Sequence, residues 1–527
     1  MQQGRFAGSR GEARLRGLGR IDRHPGGSPP TELTLVGYSP LYVPTAQARR
    51  RQRLARYAGA RSDEEVRVNT SETGKSGVRE RDLANLREAL GPRLVTDRSR
   101  VATYENDSSR ATFAGTALGL VLAESAEDVS AALAWAHEHE VSVSIRGAGT
   151  GLVGGATAYD GGLIVSLERM NKIVDIAPED RLATVQPGVI TADLDDAAHA
   201  HGLFFPPDPA SVRTCTVGGN IATNAGGLRC VAHGVTSDWV AALTVVLADG
   251  RILRTGARTR KNVVGYDLTR LFVGSEGTLG VIVEAVVRLE SVPVGAPVTF
   301  WAEFDALAES GAAVTEIVGS DSRPEVLELM DSLTVRAIEE VFPSGIRIPR
   351  GALLVGQTVG AGAAAQAEAI LAICRGRGAI AGAVAVNDDL VEARRKSNPA
   401  LSARGLKISC DVGVPVSRLA EMFAGVADIS KKHGIEVASV AHAGDGNLHC
   451  KVAAPDTPTG IAAADAIIDD ITRLALSFDG TITGEHGIGL VKQHELAWQL
   501  DEVSLDVQRA IKRTLDPRSI LTPGRAI

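Results

Sequence analysis

Hydrophobic and polar positions first become periodic near residue 79, and their spacing predicts a helix followed by a β-α-β unit. The segment "RERDLANLREALG" places Leu83, Leu86 and Leu90 on one helical face and stops at a Gly-Pro pair. The apolar strand "GLVLAES" follows, and its Ser125 is a suitable N-cap for the amphipathic helix "AEDVSAALAWAHEHE". A further strand, "VSVSIRG", runs into glycines. The pattern therefore predicts β-α-β with a glycine-rich loop after its second strand.

The periodic segments then become shorter and are typical of strands. The runs "GGLIVSL", "IVDIA" and "RLATVQPGV" are interrupted by Gly, Pro and Asp, and a helix is predicted from about Thr191 to His201. Residues 204–227 are predicted to form one long loop, and Asp249-Gly250 marks a hairpin turn within "AALTVVLADGRILRT". These elements predict a first α+β domain that ends near Pro297.

From about residue 298 the alternation of strands and helices becomes longer. Strands are predicted in "GALLVGQTV", "EVASVAHAG" and "NLHCKVAA", and the predicted helices lie near residues 305–319, 361–376, 415–434 and 459–478. This pattern predicts a second, sheet-based α+β domain. By contrast, residues 1–77 are rich in Gly, Arg and Pro, and we predict that they are disordered or a spurious N-terminal extension.

Composition agrees with a globular protein of more than one domain. The chain has 527 residues, of which 44% are hydrophobic and 23% charged, so we expect two substantial domains. A net charge of -7 gives no electrostatic reason to expect nucleic acid as a partner. No apolar run approaches the roughly 20 residues of a spanning helix. We therefore expect a cytoplasmic protein, with a peripheral position at the inner face of the membrane as the alternative.

The five cysteines are scattered along the chain, and no two form a C-x-x-C pair. This spacing argues against a structural zinc ribbon and against an internal iron–sulfur cluster. The cysteines are therefore predicted to be free thiols in a reducing cytosol.

Three glycine-rich stretches in the first domain predict a main-chain cradle for an extended dinucleotide. "SIRGAGTGLVGGAT" contains a literal G-x-G-x-x-G from Gly149 to Gly154, but the strand "GLIVSL" follows it where a Rossmann fingerprint would open a helix. Two similar stretches occur at residues 215–227 and 272–282. Because glycine has no side chain to block approach, such loops bring backbone N–H groups close to a diphosphate.

Histidines in the C-terminal third are the candidate groups for chemistry. In "HAGDGNLH", His442 and His449 bracket two glycines and an Asn, which favour a reversal of the chain. About forty residues later, "GTITGEHGIG" adds Glu485 and His486. Two imidazoles and a carboxylate would make an open site for Zn²⁺ or another divalent ion. A lone His on a loop is more often solvated or hydrogen-bonded, and spacing alone leaves both interpretations open.

These segments carry a family resemblance over roughly residues 80–527. "RGAGTGLVGG", "FPPDPAS", "TVGGNIATNAGG" and "GYDLTRLFVGSEGTLGVI" resemble the vanillyl-alcohol oxidase-type flavoproteins, in the branch of D-lactate, glycolate and D-2-hydroxyglutarate dehydrogenases. The resemblance implies an α+β protein with a two-subdomain FAD-binding domain at 78–297 and an α+β substrate (cap) domain at 298–515. The closing "LDPRSILTPGRAI" resembles the family's "DPxxxxNPGK" ending, which implies that residues 516–527 return to the FAD domain.

The resemblance also implies which residues bind FAD, with its pyrophosphate against the loop from Arg146 to Gly151. Because this loop contains neither His nor Cys, we expect the FAD to be non-covalent. The implied cofactor-binding residues are Arg146, Gly147, Ala148, Gly149, Thr150, Gly151, Pro207, Asp208, Thr216, Gly218, Gly219, Asn220, Thr223, Asn224, Gly226, Gly227, Glu276, Gly277, Gly280 and Val281.

In the second domain, "HAGDGNLH" and "GEHGIG" resemble the metal and catalytic motifs of the same branch. The implied metal ligands, for a divalent ion such as Zn²⁺, are His442, His449 and Glu485, and the implied general base is His486. Asn447 would hold the substrate or the ligand geometry. These assignments are implied by the resemblance and do not follow from the spacing.

The segment "EARRKSNPAL" carries the implied substrate-binding residues Arg394 and Asn398, although a run of cations is more often a solvated helix face. The resemblance implies that Arg394 binds the substrate carboxylate, for which the guanidinium fork is suited. The hydroxyglutarate enzymes carry a Lys where this chain has Ser409, which favours lactate- or glycolate-sized substrates, although Lys407 could compensate.

Together these features predict FAD-dependent oxidation of a D-2-hydroxyacid, with hydride passing to flavin N5. The electrons would leave to an external acceptor: a quinone, a cytochrome, an electron-transfer flavoprotein or a separate iron–sulfur subunit. Two alternatives are an oxidase that uses O₂ and a non-catalytic flavin-binding subunit of a multi-subunit glycolate dehydrogenase. A homodimer is compatible with the sequence.

Overall fold

The computed structural model of the chain describes residues 83–109, 114–405, 408–455 and 457–527. The predictions for residues 1–77 and for Lys407 therefore lie outside the described residues. Within them, the predicted elements occur in the predicted order together with strands and helices that the sequence pattern did not predict, and they form three main sheets.

The first sheet has four strands in the order β1-β2-β4-β3, and β4 pairs in parallel with both β2 and β3. Ser125 caps the helix between β2 and β3 by accepting a hydrogen bond from the Asp128 N–H, which confirms the predicted start. Residues 147–162 contain turns but no helix, so the G-x-G-x-x-G segment leads from strand to strand as predicted. The strands are β1 Leu94–Val95, β2 Gly119–Leu122, β3 Val143–Arg146 and β4 Leu163–Ser166, and the helices are α1 Ala84–Leu90, α2 Arg98–Ala102 and α3 Ala126–Glu138.

The second sheet is antiparallel, with five strands in the order β5-β6-β10-β8-β9. Gly250 adopts φ +86° between β8 and β9, which confirms the predicted hairpin turn. The strands, with the small β7-β11 pair, are β5 Ile173–Ala177, β6 Leu182–Val185, β7 Leu203–Phe204, β8 Val240–Val246, β9 Ile252–Gly256, β10 Val281–Arg288 and β11 Glu290–Ser291. The helices are α4 Thr191–His199, α5 Val217–Thr223, α6 Cys230–His233, α7 Thr236–Trp239 and α8 Leu268–Phe272.

Helix α5 corrects the prediction of one unbroken loop at residues 204–227. Thr216 caps this helix by accepting a hydrogen bond from the Gly219 N–H, and Asn224 ends it in a left-handed conformation with φ +52°. Two glycines in the first turn lower the helical propensity of the segment, so the sequence pattern resembles a loop.

The third sheet has seven antiparallel strands in the order β15-β12-β14-β13-β17-β18-β16. The strands are β12 Val298–Phe304, β13 Val326–Asp331, β14 Ala352–Thr358, β15 Ala381–Val384, β16 Ile408–Gly413, β17 Val437–His442 and β18 Asn447–Val452. The helices are α9 Leu307–Gly319, α10 Ser332–Val341, α11 Ala363–Gly376, α12 Asp389–Arg395, α13 Ser397–Ala403, α14 Leu419–His433, α15 Pro458–Ser477, α16 Leu496–Gln499 and α17 Glu502–Leu515.

Both faces of this sheet are covered by helices. On β13, Leu327 and Leu329 join a core with α9, α11, α14 and α15, whereas Val326 and Met330 join a second core with α10, α12 and α13. Alternation along the strand thus divides its apolar side chains between two layers. The second layer also borders the candidate functional residues described below.

The C-terminal tail lies against the first sheet. The Val143 N–H donates to the Ile520 carbonyl at 2.7 Å, and the Thr522 N–H donates to the Val143 carbonyl at 2.9 Å. The Arg525 guanidinium lies over the Tyr159 ring, 4.2 Å from its centroid. These contacts join the end of the chain to the N-terminal half.

Among the described residues, no helix combines the length and the apolar character that are needed to cross a membrane.

Candidate active site

The segment "HAGDGNLH" forms the hairpin between β17 and β18. His442 pairs with Asn447 and Val440 pairs with His449 in the strand register. Directly opposed residues share a face, as do residues two apart, so both histidine side chains project from the same face. Gly446 closes the turn with φ +80°, at a point where a Cβ would lie 2.1 Å from a neighbouring carbonyl oxygen.

The two imidazoles converge on Glu485. The Nε2 atoms of His442 and His449 lie 3.4 Å and 3.2 Å from the same carboxylate oxygen, Glu485 Oε1. The two ring centroids are 5.1 Å apart. Three potential ligand atoms, separated by 43 residues of sequence from His442 to Glu485, therefore face one point.

The other nitrogen of each ring faces a buried carboxylate. His442 Nδ1 is 2.8 Å from Glu328 Oε1, and His449 Nδ1 is 3.6 Å from Asp411 Oδ1. Burial lowers the pKa of His442, but the adjacent Glu328 and Glu485 carboxylates outweigh it and raise that pKa well above its usual value. The two carboxylates thus orient the rings with Nε2 directed towards Glu485.

This donor set fits a divalent metal ion. Zn²⁺ is commonly bound by imidazole nitrogen and carboxylate oxygen, and metal-bound histidines usually give their second N–H to a carboxylate. Burial raises the pKa of the nearby Asp445 carboxyl to about 7, although the adjacent His442 lowers it. His442, His449 and Glu485 are therefore the residues that could hold such an ion.

His486 lies beside the same cluster. Its ring stacks on His449 with centroids 5.0 Å apart, and burial lowers its pKa to about 4. The main-chain N–H groups of Gly484, Glu485 and His486 all donate to Asp411 Oδ2 at 2.9–3.0 Å. One buried carboxylate thus fixes the loop that presents both Glu485 and His486.

Arg394 approaches the cluster from α12. Its Nε lies 2.7 Å from Glu328 Oε2 and its Nη1 donates to Ser397 Oγ, while Nη2 has no hydrogen-bond partner among the described residues. Asn447 is buried, with its amide against Gly484 at the edge of the cluster. Asn398 is exposed on α13, and no described contact joins it to these residues.

The glycine-rich loop after β3 packs against the Arg146 and Thr216 side chains. A Cβ on Gly149, which has φ +73°, would lie 2.2 Å from Arg146 Nη2, and the Arg146 Nη1 donates to the Asn106 carbonyl at 2.6 Å. A Cβ on Gly147 would lie 2.5 Å from Thr216 Oγ1 at the start of α5. The main chain of the first glycine-rich loop therefore lies against the Thr216 side chain at the start of the second.

A cavity of about 550 Å³ adjoins this meeting point. Ala148 and Thr216 line it together with Gly188, Val189 and neighbouring residues of β5 and α4. Its size fits part of an elongated dinucleotide such as FAD. The sequence analysis did not identify Gly188 or Val189, although the Pro-Gly pair after β6 is the signal that could have done so.

Three predicted cofactor-binding residues also contact the second half of the chain. Asp208 Oδ2 pairs with Arg395 Nη2 at 2.8 Å. Glu276 accepts hydrogen bonds from the Ile488 and Gly489 N–H groups, both at 2.8 Å, just beyond His486. A Cβ on Gly226 would lie 2.7 Å from Glu485 Oε2. The loops of the FAD-binding half thus lie directly against the histidine cluster.

The remaining predicted cofactor-binding residues belong to the same loops or to their supports. Asn220 Nδ2 donates to Thr191 Oγ1, Gly280 packs against Val245, and Val281 is buried at the start of β10. The others are Thr150 and Gly151 in the first loop, Pro207 before Asp208, Gly218, Gly219 and Thr223 in α5, Asn224 and Gly227 after it, and Gly277 after Glu276.

Sequence reasoning did not identify Glu328 and Asp411. Glu328 is an acidic residue within the apolar strand "VLELMD", and that interruption was the available signal. Its partner His442 is 114 residues away, so no local pattern could reveal the contact.

Comparison with known proteins agrees with this arrangement. Residues 117–256 match the model of an FAD binding domain, and residues 296–526 match that of the FAD linked oxidases, C-terminal domain. The chain is 40% identical over 412 residues to the glycolate oxidase subunit GlcD of Bacillus subtilis, covering 76% of this chain and 86% of that protein. It is 37% identical over 419 residues to a D-lactate dehydrogenase of Archaeoglobus fulgidus, covering 77% and 91%.

Among solved structures, p-cresol methylhydroxylase with substrate bound has a TM-score of 0.70 at 18% identity, covering 85% of this chain and 98% of that one. The fold is therefore that of the vanillyl-alcohol oxidase-type flavoproteins, which confirms the α+β class and the two-subdomain FAD-binding architecture. The chain belongs to the family of FAD-linked oxidoreductases in which an FAD-binding domain precedes a C-terminal FAD-linked oxidase domain.

Proposed function

We propose that the protein oxidises a D-2-hydroxyacid of lactate or glycolate size to the 2-oxoacid with non-covalent FAD. The observation that carries the proposal is the convergence of His442 and His449 on Glu485, with His486 stacked beside them. The contact between Gly226 and Glu485 sets this cluster against the FAD-binding loops. Relatives named D-lactate dehydrogenase and glycolate oxidase subunit support the same substrate class.

Each part of a 2-hydroxyacid has a counterpart in the chain. The unpaired Arg394 Nη2 would bind the substrate carboxylate, and a guanidinium suits this because its planar N–H groups match the geometry of carboxylate oxygens. Asn447 would hold the substrate from the edge of the cluster. His486 would take the hydroxyl proton at a ring nitrogen, since it is the imidazole of the cluster that the proposed ligand set does not use.

Two bound groups would complete the chemistry. A divalent ion such as Zn²⁺, held by His442, His449 and Glu485, would supply the positive charge that makes a hydroxyl proton easier to remove. FAD would accept the hydride that leaves C2, and an external acceptor would reoxidise it. The proton and the hydride together account for the two hydrogens lost when the alcohol becomes a ketone.

The substrate size is proposed from the strand pair β16 and β18. Ser409 provides no cation, which favours a monocarboxylate. Lys451, however, lies directly opposite Ser409, is buried, and donates to Ser402 Oγ at 3.2 Å. A dicarboxylate therefore belongs in any substrate panel as the contrasting case.

The decisive experiment is anaerobic bleaching of the bound flavin by glycolate and by the D and L forms of lactate and 2-hydroxyglutarate. We expect bleaching by a small D-2-hydroxyacid or glycolate and none by L-lactate. If the protein contains flavin that no 2-hydroxyacid bleaches, the catalytic proposal fails and a non-catalytic flavin-binding subunit becomes the better interpretation. Peroxide formed in air at the rate of turnover would instead indicate direct use of O₂.

The metal ion has a separate test. The variant His449→Ala should lose bound metal, measured by elemental analysis against the parent, because one of three ligands is removed. The His433→Ala variant, which removes a histidine of α14 that pairs with Asp470, serves as the matched control. Equal metal content in the parent and in His449→Ala would contradict the proposed centre.

A further inference from the structure

One carboxylate touches both ends of the proposed site. Glu328 lies on β13, is 1% exposed, and has a different partner on each oxygen. Oε1 is 2.8 Å from His442 Nδ1, and Oε2 is 2.7 Å from Arg394 Nε. The proposed carboxylate-binding arginine and a proposed metal ligand therefore share this single side chain.

The Glu328–His442 contact determines which ring nitrogen of His442 is available. A carboxylate cannot donate a proton, so it accepts the Nδ1–H, and Nε2, which faces Glu485, is the ring nitrogen left to bind a metal ion. The strand register supports the contact, because Glu328 is directly opposite His442 in the β13-β17 pair. The tautomer of His442 is thus fixed by a residue of the neighbouring strand.

The Glu328–Arg394 contact determines which part of the guanidinium is available. Nε forms an ion pair with Glu328 and Nη1 donates to Ser397 Oγ, so Nη2 is the nitrogen with neither an ion pair nor a hydrogen bond among the described residues. Arg394 is itself only 4% exposed, so its guanidinium cannot turn towards water without breaking its buried ion pair with Glu328.

We infer that Glu328 is a positioning residue that aligns the substrate-binding arginine with the metal-binding histidine, and this inference rests on the proposed function. A purely structural role is the alternative: Glu328 would then only neutralise the buried Arg394. The two roles differ in one consequence. If Glu328 positions His442, its replacement must change metal affinity, whereas charge neutralisation alone would change only stability.

The variant Glu328→Gln separates the two roles because glutamine has the same shape but only one acceptor oxygen. Its single carbonyl oxygen can face either His442 or Arg394. At the other position, the glutamine NH2 group faces another N–H donor. Glu303→Gln is the matched control, since Glu303 is a buried carboxylate of the same sheet that pairs with Arg347 instead.

The test measures Zn²⁺ affinity by competition with a chromophoric chelator, using metal-depleted protein that retains its flavin. We expect Glu328→Gln to bind Zn²⁺ about 10- to 100-fold more weakly than the parent, with Glu303→Gln unchanged. At saturating Zn²⁺ the variant should show a raised KM, with kcat changed less than KM, because the Arg394 contact is made in both ground and transition states.

Equal Zn²⁺ affinity and equal KM in Glu328→Gln and the parent would overturn the inference while leaving the proposed function intact. A parent that takes up no Zn²⁺ would overturn both the metal centre and the inference. If Glu328→Gln does not fold, the double variant Glu328→Leu with Arg394→Met leaves neither an unpaired buried cation nor an acceptor for His442 Nδ1, and it allows the same affinity measurement. Parent-like Zn²⁺ affinity in that double variant would also overturn the inference.

Discussion

The glycine-rich loops and the histidine cluster use opposite features of the chain at adjoining positions. In the loops, Gly147 and Gly149 let main chain pass where a Cβ would overlap Thr216 or Arg146. In the cluster, His442 and His449 act through side-chain atoms whose orientation is set by buried carboxylates. The loops depend on glycines, which have no side chain, whereas the cluster depends on histidine side chains in a fixed orientation.

This difference determines how each region responds to substitution. Removing a side chain should disable the cluster and leave the loops nearly intact, whereas adding a methyl group should disturb the loops and leave the cluster intact. The contact between Gly226 and Glu485 joins the two regions, so both effects can be measured on one flavoprotein.

The largest effect is expected from His486→Ala. We expect the rate of anaerobic flavin reduction to fall about 10²- to 10⁴-fold, because a general base is lost. Flavin content and metal content should be unchanged, since His486 holds neither group in the proposed arrangement. The measurement is stopped-flow absorbance at the flavin band. A rate equal to that of the parent would assign proton removal to another group.

The second-largest effect is expected at Glu495, a buried carboxylate that contrasts with the paired carboxylates of the histidine cluster. Glu495 is 2% exposed and its Oε2 has no hydrogen-bond partner among the described residues; burial raises its pKa to about 7. In the unfolded chain it ionises near its ordinary pKa. The folded state therefore binds the proton more tightly, and stability falls as pH rises towards 7.

The variant Glu495→Gln stays uncharged and should lack this slope. We expect its free energy of unfolding to exceed that of the parent by up to about 3 kcal/mol above pH 7, with the difference vanishing near pH 4. Denaturant unfolding at several pH values measures it, and exposed Glu124→Gln is the control. If the difference in unfolding free energy does not depend on pH, ionisation of Glu495 does not destabilise the folded state.

The two regions also differ in how far sequence could predict them. The cap at Ser125, the turn at Asp249-Gly250 and the reversal in "HAGDGNLH" depend on neighbouring residues, and all three are present. Helix α5 was missed because its glycines, which lower helical propensity, stand in its first turn. Local chemistry therefore predicted these elements, misread α5, and gave no prediction for further strands such as β13 and β16.

The supports of the cluster could not be predicted in this way. Glu328 contacts His442 across 114 residues, and Glu276 contacts Ile488 across 212. Such pairs are set by strand order and domain packing. The family resemblance of two short motifs therefore implied candidate ligands such as His442 and His449, whereas the carboxylates that orient them became visible only with the sheet.

A smaller effect is expected in the loops from Gly149→Ala compared with Gly202→Ala. Both glycines have φ near +70°, so each substitution carries the cost of a left-handed L-residue, about 1–2 kcal/mol. Only Gly149 also has a neighbour in the way, Arg146 Nη2 at 2.2 Å, while Gly202 faces open space.

Both variants should lose stability, but only Gly149→Ala should also bind FAD about tenfold more weakly, a change of about 1.4 kcal/mol. FAD fluorescence titration of the deflavinated proteins makes the measurement. If Gly202→Ala loses FAD to the same degree, backbone strain anywhere in the domain is sufficient, and the loop has no special part in binding.

The smallest effect tests whether a side chain contributes within the loops. Thr216 Oγ1 accepts a hydrogen bond from the Gly219 N–H at 3.2 Å and caps α5, while Thr216 also lines the 550 Å³ cavity. Thr216→Ala removes the cap and should cost about 1 kcal/mol of stability, whereas Thr216→Ser keeps the hydroxyl and should cost less. If the hydroxyl serves only the helix, FAD affinity should follow stability in both variants. The contrasting outcome is that Thr216→Ala loses much more free energy of FAD binding than of folding, and that Thr216→Ser restores the binding. The hydroxyl would then bind the cofactor directly, and the contrast between main-chain loops and side-chain cluster would fail at this residue.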